Sequence, residues 1–336
     1  MAVKTIGITM GDPSGVGPEV IVKAFNSEEI KHIKNSTRFI IFGDDDTFAK
    51  TALKLGTAFD CSLISALDQV DKDNNKSNLF LFNPIPVRKS TGEMSLGYII
   101  SAIDAAYQGN TKKPRIIDAI VTGPVSKNSI NKNGFSFKGH TELLARKTNS
   151  RKYVMMFVSD NLKVSLVTTH VPYKKLLLHL NTGAILNTIK ITNDSLKQYF
   201  NLPEPSIAVC GLNPHAGEDG LFGKEEKEII GPAVEAAKQL GILCYGPFPA
   251  DSLFYRAQKG EFDAVVALYH DQGIIPVKTI SFFKMVQITL GLPIIRTSVA
   301  HGTAFDISGK NVADPGSMIA AIRLAREMIE NKALLF

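Results

Sequence analysis

Short apolar, β-branched runs alternate with longer stretches in which apolar residues return at helical spacing, and the alternation continues through most of the chain. Strands are expected at Thr5–Thr9, Phe39–Phe42, Leu79–Phe82, Ile116–Val121, Val154–Val158, Val164–Val167, Ile207–Cys210 and Ala264–Leu268. Helical patterns fall near 18–26, 95–108, 183–200, 224–240 and 316–330. Strands that are apolar throughout, not only at alternate positions, are buried on both faces. Separated by helices, they predict a largely parallel or mixed sheet with helices on each side, the α/β class. A length of 336 residues favours two such units, at roughly 150 residues per domain. No repeat, low-complexity block or Ser/Gly-rich linker parts two halves, so the units are tightly joined or the chain crosses between them more than once.

Composition changes this picture only by exclusion. Apolar residues make up 44% and charged residues 21%, which describes a soluble globular chain. No run approaches the roughly 18 to 20 apolar residues of a membrane span. The opening MAVKTIGITMGDPSG has no long apolar core, so a secretory signal is not expected and a cytoplasmic location is. Cys61, Cys210 and Cys244 are too few and too scattered for a disulfide framework or a cysteine zinc site. The net charge of +6 is concentrated: residues 111–170 carry 11 Lys/Arg against 3 Asp/Glu, and the other segments are balanced or slightly acidic. Such a stretch is a basic patch for a polyanion or the lining of a site for a small anion, and composition does not choose between them.

Candidate chemistry begins with histidine. Five of the seven sit beside Gly, Pro, Thr or Asp at the ends of apolar runs: His140, His170, His215, His270 and His301. Of these, His170, His215 and His270 follow the expected strands VSLVT, IAVCG and AVVALY. Parallel strands deliver their carboxyl ends to one crevice, where three imidazoles would hold a divalent cation and leave positions open. A single strand-end histidine is more often a satisfied capping residue; three arriving alike favour a metal. GDPSGVGPEV (Gly11–Val20) is neither a dinucleotide GxGxxG with its acidic partner nor a Walker sequence, and structural and ligand-facing roles stand even. TGPVSK (Thr122–Lys127) and GHTELLARK place free N–H groups at helix starts among Lys127, Lys132, Lys138, Arg146 and Lys147. Residues 269–310 add Lys278, Gln287 and Arg296, where Lys and Arg suit a phosphate or carboxylate. Aromatic residues are not interleaved with the basic ones, which disfavours single-stranded nucleic acid.

GDPSGVGPE, TGPVSK, GHTE, TTHVP, GLNPHAGEDG, GPFPADSLF, YHDQG, LGLPIIRTS and HGTAFDISGK, in order from near residue 5 to near residue 325, together resemble the 4-hydroxythreonine-4-phosphate dehydrogenase family of pyridoxal phosphate biosynthesis. GDPSGVGPEV and HGTAFDISGK also look like the GDGIGPEV turn and HGSAPDIAGK loop of the isocitrate and isopropylmalate dehydrogenases. The resemblance implies two α/β/α domains with a cleft between them and a homodimer with sites near the interface. The first domain is expected over 1–125 plus 272–336, with the cofactor loop; the second is expected over 126–271, with the metal ligands and the dimer interface. Carried over, the metal ligands are His170, His215 and His270, two from one subunit and one from the other. Substrate contacts fall on His140, Thr141, Lys278 and Arg296, with Gln287 where the family usually has Asn; Ala300 replaces a usual Asp. Lys278 and Asp251 are the proton-transfer candidates, and Gly302, Thr303 and Ala304 would face the cofactor.

The implied reaction oxidises the 3-hydroxyl of 4-phosphooxy-L-threonine with NAD, or NADP in its place, and a zinc, magnesium or cobalt ion. The β-keto acid formed then decarboxylates to 3-amino-2-oxopropyl phosphate. The departures at Gln287 and Ala300 keep 4-phospho-D-threonate and 4-phospho-D-erythronate as alternative substrates. Competing readings from another class are a non-catalytic protein with a structural zinc and a basic RNA-binding module. No nucleic-acid or membrane partner is expected.

Overall fold

The computed structural model describes residues 3–71, 77–85, 89–109 and 115–334; Lys112 and Lys113 of the basic stretch lie outside the described residues. The chain starts with β1 (Lys4–Thr9), α1 (Gly17–Asn26), α2 (Glu28–Lys34), β2 (Thr37–Phe42), α3 (Asp45–Leu55), β3 (Ser62–Ile64), β4 (Leu79–Phe82), α4 (Thr91–Ala106), β5 (Ala119–Thr122), α5 (Lys127–Asn131) and α6 (His140–Lys147). Next come β6 (Val154–Ser159), β7 (Leu162–Leu166), α7 (Leu176–His179), α8 (Thr182–Phe200), β8 (Ile207–Cys210), α9 (Gly231–Gln239), β9 (Cys244–Phe248), α10 (Ala250–Gln258), β10 (Ala264–Ala267), α11 (His270–Ile280) and β11 (Val286–Leu290). It closes with β12 (Ile295–Val299) and α12 (Gly316–Ala333).

Two compact units result: Met1–Ser150 with Leu292–Glu330, and Arg151–Gly291 with Asn331–Phe336. Within the first, six strands stand in the order β3, β4, β2, β1, β5, β12, every neighbouring pair parallel. Ile6, Ile8, Phe39, Ile41 and Val121 are fully buried, as an all-parallel sheet covered on both faces requires. The second unit orders its strands β11, β6, β7, β10, β8, β9. There β11 and β7 run antiparallel to β6, and β7, β10, β8 and β9 run parallel to one another. The β6–β7 pairing closes at Ser159↔Leu162, so only Asp160 and Asn161 lie in the turn, a two-residue hairpin.

The chain changes units after 150 and after 291, where the sequence pointed to 125 and 271. Two contacts account for the difference. Helix α6 packs on α4, which keeps residues 126–150 in the first unit, and β11 hydrogen-bonds to β6, which keeps 272–291 in the second. Four strands go beyond the expected set: β3, β9, β11 and β12. Helices α2, α3, α10 and α11 also go beyond the expected patterns; in α3, Asp44 caps the start by accepting from the Thr47 N–H at 2.9 Å, and Gly56 at φ 63 ends it. Among the described residues no helix is long and apolar enough to cross a membrane.

Candidate active site

In the first unit β1, β5 and β12 are parallel neighbours, so the segments after them leave from the same edge of the sheet. Those segments are GDPSGVGPEV, TGPVSK and HGTA. Their backbones are joined directly: Asp12 N–H donates to Pro124 O at 2.9 Å, and Val16 N–H donates to Thr303 O at 2.9 Å. Gly11 has φ 81, and a Cβ there would stand 2.3 Å from Pro124 O, so only glycine fits this approach. A Cβ on Gly15 would meet Thr303 O at 2.9 Å. The even choice at GDPSGVGPEV thus resolves in part: its glycines serve close packing of the three loops. Glu19 extends the joint, its Oε1 accepting from Ala313 N–H at 2.9 Å and from Lys23 Nζ at 2.8 Å.

Arg296 and Ser298 share one face of β12, beside Thr122 on β5 (register Ser298↔Thr122). Thr122 Oγ1 donates to Ser298 Oγ at 2.9 Å and accepts from Arg296 Nε and Nη2 at 3.2 and 2.7 Å. Its hydroxyl proton is committed, so its lone pairs face the guanidinium. Arg296 is 1% exposed, and burial pulls it down to about 9, against the pull of Glu142, so it stays charged at neutral pH. His140 opens α6, and its Nε2 is sealed from solvent with no partner. Burial, then the charges of Arg296 and Lys127, push that imidazole well below its usual value. Thr141, next to it, is buried. A buried cation beside a neutral, unpartnered imidazole is a receptor for an anionic oxygen.

Two further groups stand at this edge: Asp12, which sequence passed over, and His301, one of the five candidate histidines but given no role. Asp12 is 1% exposed with Oδ2 unpartnered; burial raises its carboxyl, against hydrogen bonds from the Ser14 N–H and the Ser129 hydroxyl. His301 has an unpartnered buried Nε2, while its Nδ1 lies 2.9 Å from Gly302 O. Burial lowers that imidazole, with Gly302 O and Asp314 opposing. In the segment Gly302–Ala304, expected to face the cofactor, Gly302 has open space where a Cβ would be, Ala304 holds φ 42, and an orphaned imidazole nitrogen stands beside them. The signal for Asp12 was its place directly after a strand in a Gly-rich turn; burial alone made it distinctive.

In the second unit β7, β10 and β8 are parallel neighbours, and His170, His270 and His215 follow them in that order. The rings of His170 and His270 come together, centroids 5.7 Å apart. His270 Nδ1 lies 2.7 Å from Asp271 Oδ1, so that ring nitrogen is engaged by the carboxylate and Nε2 is the one left for another ligand. His215 stands apart against Phe222, centroids 6.3 Å, and among the described residues no three His, Cys, Asp or Glu side chains of one chain gather as a metal site. Within one chain the structure therefore brings together two of the three expected imidazoles, His170 and His270, and not His215. His215 belongs to a turn in which His215, Ala216, Gly217, Glu218 and Asp219 all have positive φ. Buried Glu226 braces the turn's base: Oε1 accepts from the Leu212 and Asn213 N–H groups at 2.7 Å each, and Oε2 accepts from Asn213 Nδ2 at 2.9 Å. Burial alone would raise that carboxyl, but the donors from Asn213 and Leu212 outweigh it and hold it below the usual carboxylate range.

The remaining expected residues are on this unit too. Asp251 is exposed in the first turn of α10, Lys278 is exposed on α11 with Nζ 5.7 Å from the Phe282 ring centroid, and Gln287 is half-buried on β11 opposite Phe157 of β6. Cys210 and Cys244 are buried, and burial raises both thiols, which leaves them poor metal ligands.

Residues 34–325 match the model of the family described as pyridoxal phosphate biosynthetic protein PdxA. The chain is 44% identical to a 4-hydroxythreonine-4-phosphate dehydrogenase of Desulforapulum autotrophicum, covering 95% of this chain and 94% of that one. It is 40% identical to a D-threonate 4-phosphate dehydrogenase of Cupriavidus necator, covering 98% of each. A crystal structure of 4-hydroxythreonine-4-phosphate dehydrogenase from Klebsiella pneumoniae superposes with TM-score 0.82 at 35% identity, covering 97% of this chain and 99% of that one. Isocitrate dehydrogenase from Methylococcus capsulatus, at 13% identity and TM-score 0.51, shares the fold.

Proposed function

The chain belongs to the PdxA family of pyridoxal phosphate biosynthetic proteins and is a dehydrogenase, and from that premise we propose that it oxidises the 3-hydroxyl of 4-phosphooxy-L-threonine with NAD and a divalent cation. The observation that carries this reading is the receptor at His140: a sealed, unpartnered Nε2 beside fully buried Arg296, built for an anionic oxygen. His140, Thr141 and Arg296 bind the phosphate or carboxylate, with Lys278 and Gln287 as further contacts. Lys278 and Asp251 are the candidates for moving the hydroxyl proton. His170 and His270 of one chain, with His215 of a second copy, hold the metal ion, which makes the active species a homodimer. Gly302, Thr303 and Ala304 seat the cofactor. When bound, the ion supplies Lewis acidity toward a hydroxyl and the nicotinamide supplies a hydride acceptor. The β-keto acid product then loses carbon dioxide to give 3-amino-2-oxopropyl phosphate.

A second reading stays within the family: 4-phospho-D-threonate or 4-phospho-D-erythronate in place of the amino acid. It is favoured by Gln287, one methylene longer than the usual Asn, and by Ala300 in place of Asp. The relative named D-threonate 4-phosphate dehydrogenase is nearly as similar as the first. NADH formation with NAD, a divalent metal and each phospho-acid in turn decides between them. The amino acid is expected to give the highest kcat/KM. Turnover confined to the threonate or erythronate moves the assignment to the second reading. No NADH from any of them, together with salt-sensitive RNA binding, would overturn both.

A further inference from the structure

His270 and His170 are tied together by more than their rings. Asp271 Oδ1 lies 2.7 Å from His270 Nδ1, and its other oxygen, Oδ2, accepts from the Tyr173 hydroxyl at 2.6 Å. Tyr173 stands three residues after His170, and its ring meets Tyr269 edge-on at 5.8 Å, one residue before His270. The segments after β7 and β10 are therefore closed into a circuit: His170, Tyr173, Asp271, His270, and back across 5.7 Å to His170.

We propose that Asp271 and Tyr173 are positioning residues for the histidine pair, Asp271 fixing the His270 ring so that Nε2 meets a divalent cation and Tyr173 setting the spacing of the two imidazoles. An ionised carboxylate accepts hydrogen bonds and donates none, so His270 must carry its proton on Nδ1. That tautomer leaves the Nε2 lone pair outward, the arrangement by which a carboxylate orients a metal-ligating histidine. With one oxygen used per donor, the carboxylate cannot turn to serve one partner without releasing the other. The proposal rests on the reading of His270 as a metal ligand.

Metal binding by the stripped full-length protein tests it, with Co(II) and Zn(II) as probes, read by calorimetry and by the Co(II) visible spectrum. Asp271→Ala is expected to weaken binding about tenfold to hundredfold, the usual cost of losing such a partner, and to alter the Co(II) band. Tyr173→Phe should weaken it less, and neither should lower the thermal midpoint of the metal-free protein, since both side chains are exposed or half-exposed. His270→Ala separates the two ideas. If His270→Ala loses the metal while Asp271→Ala and Tyr173→Phe bind like the parent, the positioning role is wrong and the ligand reading survives. If His270→Ala binds like the parent, the ligand reading fails and takes the proposal with it.

Discussion

His140 and His301 each bury an imidazole nitrogen without a partner, and burial lowers both from their ordinary values. Near pH 6.5 and below, the unfolded chain takes up protons at these positions while the folded chain does not. Stability is then present in full above about pH 6.5 and falls as pH drops toward the folded values, by up to about 1.4 kcal/mol per pH unit for each histidine. Urea unfolding between about pH 7 and pH 5 measures that slope. His140→Gln should flatten it, and an unchanged slope would show that the His140 site is open to protons. Arg296 supports a sharper expectation for activity. Lysine cannot offer both of the guanidinium donors that reach Thr122, so Arg296→Lys should lower kcat/KM by about tenfold to hundredfold, chiefly through KM. Steady-state kinetics at saturating cofactor would expose the error if KM stayed put.

At the scale of elements, the turn carrying His215 depends on one carboxylate. Glu226 begins a five-residue π-helical turn, a local irregularity that often marks functional positions. Removing its carboxylate leaves the backbone N–H groups of Leu212 and Asn213 without this acceptor, while Asn213 Nδ2 keeps its bond to Glu225 Oε2. Glu226→Ala should therefore cost about 2 to 3 kcal/mol in chemical denaturation, and Glu226→Gln clearly less, because an amide oxygen still accepts. Equal costs for the two would point to packing, not hydrogen bonding. Most elements were legible because their apolar runs are continuous: Ile207–Cys210 was expected and observed as it stands. Strands β11 and β12 were hidden by their own chemistry. Gln287 and Arg296 read as site residues in an irregular stretch, and both turn out to sit on strands. A fully buried arginine in a strand has no hydropathy signature: Thr122, which accepts from its guanidinium, lies 174 residues away in the chain.

For the whole molecule, charge and assembly are the open expectations. The basic surplus at 111–170 surrounds the TGPVSK and GHTE segments, and Lys132 and Lys138 are exposed there. If they steer a dianion without touching it, Lys132→Gln with Lys138→Gln should raise KM at low salt and the effect should vanish at high salt. An effect that persists at high salt would instead make them substrate contacts. Assembly is testable by mixing inactive variants. Because His170 and His270 meet within one chain and His215 does not join them, His170→Ala mixed with His215→Ala should recover roughly a quarter of parental activity by random pairing of a two-fold dimer. His170→Ala mixed with His270→Ala should recover nothing. Recovery in the second mixture alone would reverse the grouping of the ligands.

The sequence by itself determined the α/β class, the position of the three histidines after parallel strands and the family, because continuous apolar runs and ordered motifs are local properties. It did not determine where the chain changes units, since that rests on α6 packing against α4 and β11 pairing with β6, contacts between segments far apart in the chain. Nor did it reveal the importance of Asp12, Asp271, Tyr173 or Glu226, and it marked His301 as a candidate without giving it a role. Each is an ordinary polar residue until the fold removes its water or brings it a partner, and desolvation and distance are decided only in three dimensions.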